Sequence, residues 1–353
     1  MLGGYESQEL NARRGGSGPS TSVTVTDSVA AFLDAVRLSR SPNTARTYAN
    51  ALGAFLRTIR STAGDPETLS CQEAQERWIA DFATHLKRAA PATERLYLAA
   101  ARAWFEYLTA EGLADVNLSR LRQLIRQRAR RPGQRLPQFP RQAIEAMIAY
   151  AARLKGAPYA QESEHQRNLR DRALLLTLAD TGLRVHEACA LRRGDLDWHE
   201  AHALMIGKGN RQAIVRFSRR SLEALRDYLA SRAALDGGSG RPLPSLPVFA
   251  RHDKAAGKRV LPISTTTGRA IVHQRAAEAL GDRMTDVITP HAFRHYFVTA
   301  VLRGSGGNLK LAQELARHRS ITVTQRYAHL SDDELDRGYA EIFDQGEAEP
   351  ESR

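Results

Sequence analysis

The sequence predicts a mainly α-helical protein with a small antiparallel sheet, arranged as two domains. The chain has 353 residues, a length that suggests two domains, and 42% of them are hydrophobic, which suffices for real cores. Apolar residues recur at helical spacing through most of the chain. The spacing changes to that of short β-strands only in a central stretch, within residues 196–217.

The first domain is predicted as a helical bundle over residues 26–118, preceded by a flexible tail at 1–25. "DSVAAFLDAVRL" forms the first helix, with Asp27 or Ser28 as its N-cap. "SPNTARTYANALGAFLRTI" starts the second, with Ser41 as N-cap.

Two further helices complete the predicted bundle. They are "CQEAQERWIADFATHLKR" and "ATERLYLAAARAWFEYLTAEG", the latter ending at Gly112. The residues available to pack in the fourth helix are Leu96, Ala99, Ala100, Ala103, Phe105 and Leu108.

A strongly basic segment follows the bundle. Residues 119–141 contain eight arginines, three prolines and no acidic residue. Because proline and glycine interrupt helices, we expect a domain linker there. Since it joins two folded segments, we favour a strap lying along phosphates over a solvated tail.

The second domain is predicted over residues 142–340, before an acidic tail at 341–353. "AIEAMIAYAARL" and "RNLRDRALLLTLADTGL" are helical by period, with a polar loop, "KGAPYAQESEHQ", between them. "LDW", "ALMI" and "QAIVRF" are predicted strands, and the last two flank "GKGN", a hairpin tip. "SLEALRDYLASR", "TTTGRAIVHQRAAEAL", "TPHAFRHYFVTAVLRG", "LKLAQELARH" and "TVTQRYAHL" are predicted helices.

Charge and cysteine content restrict the class of protein. Lysine and arginine exceed aspartate and glutamate by 51 to 39, a net charge of +12, which favours a polyanionic partner such as DNA or an anionic membrane surface. Cys71 and Cys189 form no metal or disulfide pattern and fit a reducing cytosol. We therefore expect a cytoplasmic, nucleoid-associated bacterial or archaeal protein, without a secretory signal or membrane span.

Four separated fragments carry the reactive side chains: "TGLRVHEACAL", "GKGN", "HAFRHYF" and "LARHRSITVTQRYAHL". Together they supply arginine forks for phosphate oxygens, a lysine acid, histidines and a tyrosine. This set suits phosphoryl transfer at a phosphodiester. Since no cluster of carboxylates exists to bind metal ions, we expect neither a metal nor another cofactor.

These fragments resemble the boxes of the tyrosine recombinase (phage integrase) family. The N-terminal helices resemble the core-binding, SAM-like domain of its Xer and integron branch, so the resemblance runs from Thr26 to Leu330. It implies a C-terminal mixed α/β catalytic domain and a clamp around duplex DNA. Four protomers would act on two DNA sites, possibly with a paralogue, and the C-terminal segment would dock on a neighbour.

The resemblance also implies roles for individual residues. Tyr327 would be the nucleophile and Lys208 the general acid, while Arg184 and Arg294 would clamp the scissile phosphate. The other implied roles are proton transfer or positioning for His291, phosphate binding for His318, and support of the site for Glu187.

The expected DNA contacts spread over both domains. The candidate residues are Thr44, Arg46, Arg95, Arg102, Arg126, Arg128, Arg130, Arg131 and Arg269. His186 and His295 match no catalytic position and are expected to be structural.

The sequence departs from the family before its third box. Ala316-Arg317-His318 stands where the family has Leu-Gly-His, so the local helix approach is expected to differ. The residues alone leave two alternatives open, a topoisomerase-like relaxing enzyme and a non-catalytic DNA-binding protein of the same fold.

Overall fold

The computed structural model describes residues 23–130, 140–207, 211–284, 286–325 and Tyr327. The chain divides into two compact units, Met1–Arg135 and Leu136–Arg353. Most of the described residues are helical, and a three-stranded antiparallel sheet lies in the second unit. The predicted fold class is therefore confirmed.

The first unit is a bundle of α-helices around an aromatic core. Its helices are α1 (Val25–Ser39), α2 (Pro42–Thr62), α3 (Arg77–His85), α4 (Pro91–Ala110) and α5 (Leu118–Arg128). Phe55 contacts the rings of Phe82, Trp104 and Phe105 at centroid distances of 5.1, 5.6 and 5.9 Å, and all four side chains are buried. This aromatic cluster joins α2, α3 and α4.

The helix starts follow side-chain caps, and one cap differs from the prediction. Ser41 caps α2 as predicted, by accepting a hydrogen bond from the backbone N–H of Thr44. The predicted caps Asp27 and Ser28 of α1 are wrong. Thr24 is the cap because its hydroxyl accepts from the backbone N–H of Asp27, and Ser28 is buried inside the helix.

Two details of the predicted bundle need correction. The third predicted helix is broken into a 3₁₀ turn at Cys71–Glu73, capped by Ser70, and the helix α3. On α4, Leu96 is 44% exposed, while Trp104 is fully buried in the core. The prediction from helical spacing wrongly included Leu96 in the packing face of α4 and omitted Trp104.

The segment predicted as a linker begins as part of the first unit. Helix α5 covers residues 118–128, is capped by Asn117, and buries Leu121 completely. Its amphipathic pattern outweighs its many arginines, so the prediction of a linker from residue 119 is wrong. The predicted linker residues 131–139 lie outside the described part of the chain.

The second unit combines helices with the small sheet. Its elements are α6 (Arg141–Arg153), α7 (Glu162–Thr181), α8 (Val185–Ala190), β1 (Leu196–Asp197), β2 (His202–Gly207), β3 (Arg211–Arg216), α9 (Arg219–Ser231), α10 (Ala233–Gly237), α11 (Thr265–Leu280), α12 (Pro290–Gly304), α13 (Leu309–Ala316) and α14 (Ile321–Gln325). Part of the predicted loop before α7 is helical, because α7 begins already at Glu162.

The sheet has the order β1-β2-β3, with every pair antiparallel. Ala203 pairs with Leu196 on one side and with Val215 on the other, and all three are buried. They join the large apolar core formed by α6, α7, α9, α11 and α12. The sheet therefore belongs to the core of the second unit.

Cys71 and Cys189 are both free and buried. Among the residues that the structure describes, no helix combines the length and apolarity needed to cross a membrane.

Candidate active site

A left-handed glycine positions the first arginine. Gly182 ends α7 with φ of 60°, and Arg184 follows as the N-cap residue of α8. A Cβ atom on Gly182 would lie 2.4 Å from Cδ1 of Phe297 on α12. Glycine is therefore required twice, by the backbone angle and by the close approach of α12.

Arg184 is held by the acidic residue three positions later. Its Nη1 atom lies 2.9 Å from Oε1 of Glu187, and its backbone N–H donates to Oε2 at 2.8 Å. Burial would raise the pKa of Glu187, but the hydrogen bond from the Arg184 backbone and the charges of Arg317 and Arg184 lower it. Glu187 is thus an anion that orients Arg184, whose side chain remains 45% exposed.

Arg294 lies at the centre of the site and is 2% exposed. Its Nη1 atom donates to the carbonyl of Gly182 at 2.5 Å, and Nη2 donates to the carbonyl of Ala316. These two bonds connect α12 to the segment before Arg184 and to the segment before His318. Burial, together with the charges of Arg184 and Arg317, lowers the pKa of Arg294 to about 10.

Two histidines stand one turn apart on α12. His291 is exposed in its first turn, and its ring lies perpendicular to that of His295 with centroids 4.4 Å apart. Burial and the charges of Arg294 and Arg184 lower the pKa of His291. Burial, followed by the influence of His291 and Arg294, lowers the pKa of His295 to about 4.

His318 follows α13 and is 9% exposed. Its Nδ1 atom lies 2.9 Å from the hydroxyl oxygen of Thr324, which is fully buried. Burial lowers the pKa of His318 to about 4, helped by the charges of Arg294, Arg184 and Arg317. His318 is therefore neutral at pH 7 and has one ring nitrogen committed to Thr324.

Tyr327 packs its ring among these histidines. The ring centroid lies 4.8 Å from that of His295 and 6.3 Å from that of His318, the latter ring being nearly parallel at 15°. The same ring also packs against the small apolar cluster of Val298, Leu302, Ala312 and Ala316. Tyr327 therefore packs in an apolar cluster and lies beside the cationic site at the same time.

An open depression of about 750 Å³ adjoins the site. Its lining includes Arg184, Arg269, His273, His291 and Arg294. His186, which we expected to be structural, is exposed and also lines it. Apolar side chains such as Val185 and Ile288 line it too, and Asp286 adds a carboxylate, but the arginine and histidine nitrogens are donors that suit phosphate oxygens.

The structure brings together Arg184, Glu187, His291, Arg294, His318 and Tyr327, all from the second unit. Lys208, the predicted general acid, lies outside the described residues, between β2 and β3. Within the described ranges, no group of three or more histidine, cysteine, aspartate or glutamate side chains is placed to hold a metal ion.

The predicted DNA-contacting residues fall into four groups. The arginines at 46, 95, 102, 126, 128 and 269 are exposed, while Thr44 is half-buried beside the cap residue Ser41. Arg130 is committed inside the first unit, donating to Glu94 at 2.5 Å and to the carbonyl of Ala89. A phosphate-contacting role for Arg130 is therefore not supported. Arg131 lies outside the described residues.

Three residues of the site were missed as site residues by the sequence analysis. Thr324 gave no signal, because a hydroxyl six residues after a histidine is common. The ring of His295 contacts Tyr327, whereas the sequence only indicated a structural residue. Arg317 was noted solely as a departure from the family's glycine, although its side chain reaches Glu187.

Comparison with known sequences agrees with the two-unit architecture. Residues 143–334 match the profile described as the phage integrase family, and residues 29–112 match the phage integrase N-terminal SAM-like domain. Tyrosine recombinase XerC of Pelobacter propionicus is 32% identical over 277 residues, covering 78% of this chain and 78% of that protein. XerD of Mycobacterium tuberculosis is 32% identical over 230 residues, covering 65% and 67%.

Solved structures share the fold. XerH recombinase bound to a palindromic difH substrate gives a TM-score of 0.62 at 17% identity, covering 88% of this chain and 83% of that one. The Tn1549 transposon integrase in complex with a circular intermediate DNA gives 0.60 at 18% identity, covering 91% and 100%.

Proposed function

Because this chain belongs to the phage integrase family, we propose that it is a site-specific DNA recombinase that cuts and rejoins duplex DNA through Tyr327. The relatives named XerC and XerD, and the fold shared with two DNA-bound recombinase structures, support this proposal. No observation on the chain favours the topoisomerase-like or the non-catalytic alternative.

The observation that carries the proposal is the pair of bonds made by Arg294. They join the backbone beside Arg184 to the backbone beside His318, in a region where Tyr327 also packs. Three fragments far apart in sequence thus place cations, a neutral imidazole and a phenol together. Such a set can stabilise a phosphorane-like transition state, which carries extra negative charge.

In the proposed reaction, the Tyr327 oxygen attacks the scissile phosphorus and becomes bonded to it. The bond from phosphorus to the 5′ oxygen breaks, leaving a 3′-phosphotyrosine and a free 5′ hydroxyl. Lys208 would donate the proton that the leaving oxygen takes up. A 5′ hydroxyl of another strand then attacks the phosphotyrosine and releases Tyr327, so the energy of the bond is conserved and ATP is not required.

The histidines would divide the remaining tasks. His318 is neutral at pH 7, because burial and neighbouring arginines lower its pKa to about 4. In the tautomer whose Nδ1 accepts from Thr324, the Nε2–H can donate to a nonbridging phosphate oxygen. His291 is exposed beside the cationic depression and would position the phosphate or accept the tyrosine proton.

Recombination of two duplexes needs two cleavages on each, so we propose a homo-tetramer on two DNA sites, with the task of dimer resolution, integration or excision. The net charge of +12 fits a DNA partner. The proposal also places the protein in the cytoplasm, on the nucleoid. Exposed arginines of both units, Arg95 and Arg269 among them, would contact the DNA.

The test is recombination between two copies of one site. The site is first located by footprinting on the host genome, and a plasmid carrying two copies is then incubated with purified protein in EDTA. We expect exchange between the two sites and none on a plasmid lacking them. Relaxation of any supercoiled plasmid without exchange would indicate a topoisomerase and contradict the proposal.

A further inference from the structure

An arginine in a left-handed backbone conformation stands next to the candidate active site. Arg317 ends α13 with φ of 56° and ψ of 44°, and among the described residues only Ala201 shares a positive φ without being glycine. This conformation is unfavourable for a residue with a side chain, and helices usually end with glycine there. A compensating interaction of the side chain is therefore expected.

The Arg317 side chain turns inward and is only 14% exposed. Its Nη1 atom donates to the carbonyl of Leu315 at 3.2 Å and approaches that of Thr181 at 3.5 Å. Its Nη2 atom lies 3.5 Å from Oε2 of Glu187. The side chain thus spans from the end of α13 to the α7–α8 turn, which carries Arg184.

The carboxylate of Glu187 lies between two arginines as a result. Arg184 binds Oε1 at 2.9 Å and Arg317 approaches Oε2 at 3.5 Å. Oε2 also accepts the backbone N–H of Arg184 at 2.8 Å, so the half-buried carboxylate meets side-chain cations from two separate segments among the described residues. Burial lowers the pKa of Arg317, and the charge of Glu187 opposes that effect.

We propose that Arg317 is a positioning residue for strand cleavage, holding the Glu187 carboxylate so that Arg184 keeps its exposed guanidinium directed at the scissile phosphate. The residue acts through Glu187 and does not itself need to touch DNA. This inference rests on the proposed function, since it assigns Arg317 a role in that reaction.

Steric filling by Arg317 would not explain the three features together. A filler would not need a charge, and a helix end would be more stable with glycine at this backbone angle. Arg317 combines an unfavourable φ with a buried charge, and its acidic partner is the residue that binds Arg184. Arg317 therefore destabilises the end of α13 locally, and its side chain makes a contact at the site that glycine could not make.

Three variants separate charge from backbone strain. Arg317→Met removes the charge but keeps a side chain at the left-handed position. Arg317→Gly removes the charge and the strain together, and Arg317→Lys keeps the charge. Arg219→Met is the matched control, because it deletes an arginine that is 93% exposed from its pair with Glu223.

The measured quantities are the single-turnover rate of covalent adduct formation on a nicked suicide substrate, DNA affinity and thermal stability. We expect both Arg317→Met and Arg317→Gly to lose about tenfold in rate at unchanged DNA affinity. Arg317→Gly should nevertheless be more stable than Arg317→Met, and Arg317→Lys should recover most of the rate. Arg219→Met should match the wild type.

The outcomes separate this inference from the proposed function. A wild-type rate in Arg317→Gly would overturn the inference alone, since the arginine would then serve only the helix end. Rates that follow thermal stability across the three variants would overturn it as well. A wild-type protein that forms no adduct would contradict the proposed function, and the inference would fall with it.

Discussion

The Nδ1 atom of His318 lies 2.9 Å from the hydroxyl oxygen of Thr324, and both side chains are buried. This contact fixes the ring orientation of His318, which we propose donates a hydrogen bond to the scissile phosphate. It also leaves the second nitrogen of the ring available. The geometry of the site thus depends on a threonine that has no reactive role of its own.

Replacing Thr324 with valine should slow cleavage while preserving side-chain shape. Because a neutral hydrogen bond contributes about 1 kcal/mol, the single-turnover rate should fall about fivefold to tenfold. Thr324→Ser keeps the hydroxyl and should stay close to the wild-type rate. A valine variant as fast as the serine variant would show that the hydroxyl does not orient His318.

Gly182 should tolerate a methyl group worse than a matched glycine elsewhere. Gly182→Ala meets both a φ of 60° and Phe297 at 2.4 Å, whereas Gly306 has the same φ of 60° and nothing within 4 Å of its Cβ position. The unfolding free energy should fall by about 3 kcal/mol in Gly182→Ala and by about 1 kcal/mol in Gly306→Ala. Urea denaturation measures both, and equal losses would refute the close approach of α12.

The arginines around the end of α5 should divide into two classes. Arg126 and Arg128 are exposed, whereas Arg130 binds the fully buried carboxylate of Glu94. Changing Arg126 or Arg128 to glutamine should lower the slope of log DNA affinity against log salt by about 0.9 per phosphate contact. Arg130→Gln should leave the slope unchanged and cost about 2 kcal/mol of unfolding free energy. A reduced salt dependence of DNA affinity in Arg130→Gln would show that Arg130 contacts DNA phosphates.

Stability should fall on acidification through the range set by the buried histidines. The pKa values of His295 and His318 are both lowered to about 4 in the folded protein, below their unfolded value of about 6.5. The unfolded chain therefore binds more protons between these values, so the stabilising contribution is present above pH 6.5 and is lost as pH falls toward 4.

His295→Phe tests this pH dependence without changing a residue that we propose to touch DNA. It should flatten part of the fall in unfolding free energy between pH 6.5 and pH 4, measured by denaturant titration at each pH. Identical slopes for wild type and variant would contradict the lowered pKa of His295. The remaining slope belongs to the other groups with a lowered pKa, among them His291, His318, Glu187 and His252, whose pKa is lowered to about 3 by burial and nearby arginines.

The sequence predicted most helices and strands because these elements leave local signals. Helical spacing located α2 and α12, and Ser41 was correctly predicted as the cap of α2. The β2–β3 hairpin followed from β-forming runs on either side of "GKGN". The resemblance of the four boxes to a known family implied roles for Arg184, Glu187, His291, Arg294, His318 and Tyr327, and these roles stay predictions.

What the sequence did not predict depends on contacts between distant segments. The counts of arginine and proline made residues 119–130 appear as a linker, but Leu121 packs into the bundle and Arg130 binds Glu94. Arg317 appeared as a departure from glycine, and only the fold brings it near Glu187, 130 positions earlier. Such pairings leave no pattern within a single stretch of chain.

The most direct test of the central claim is the covalent adduct of Tyr327. Wild type and Tyr327→Phe, which lacks only the hydroxyl, are incubated with a suicide substrate nicked beside the cleavage site and resolved on a denaturing gel. The wild type should yield an adduct whose phosphorylated peptide contains Tyr327, and the phenylalanine variant should bind DNA equally but yield none. An adduct formed by Tyr327→Phe, or one mapped to another residue, would contradict the account.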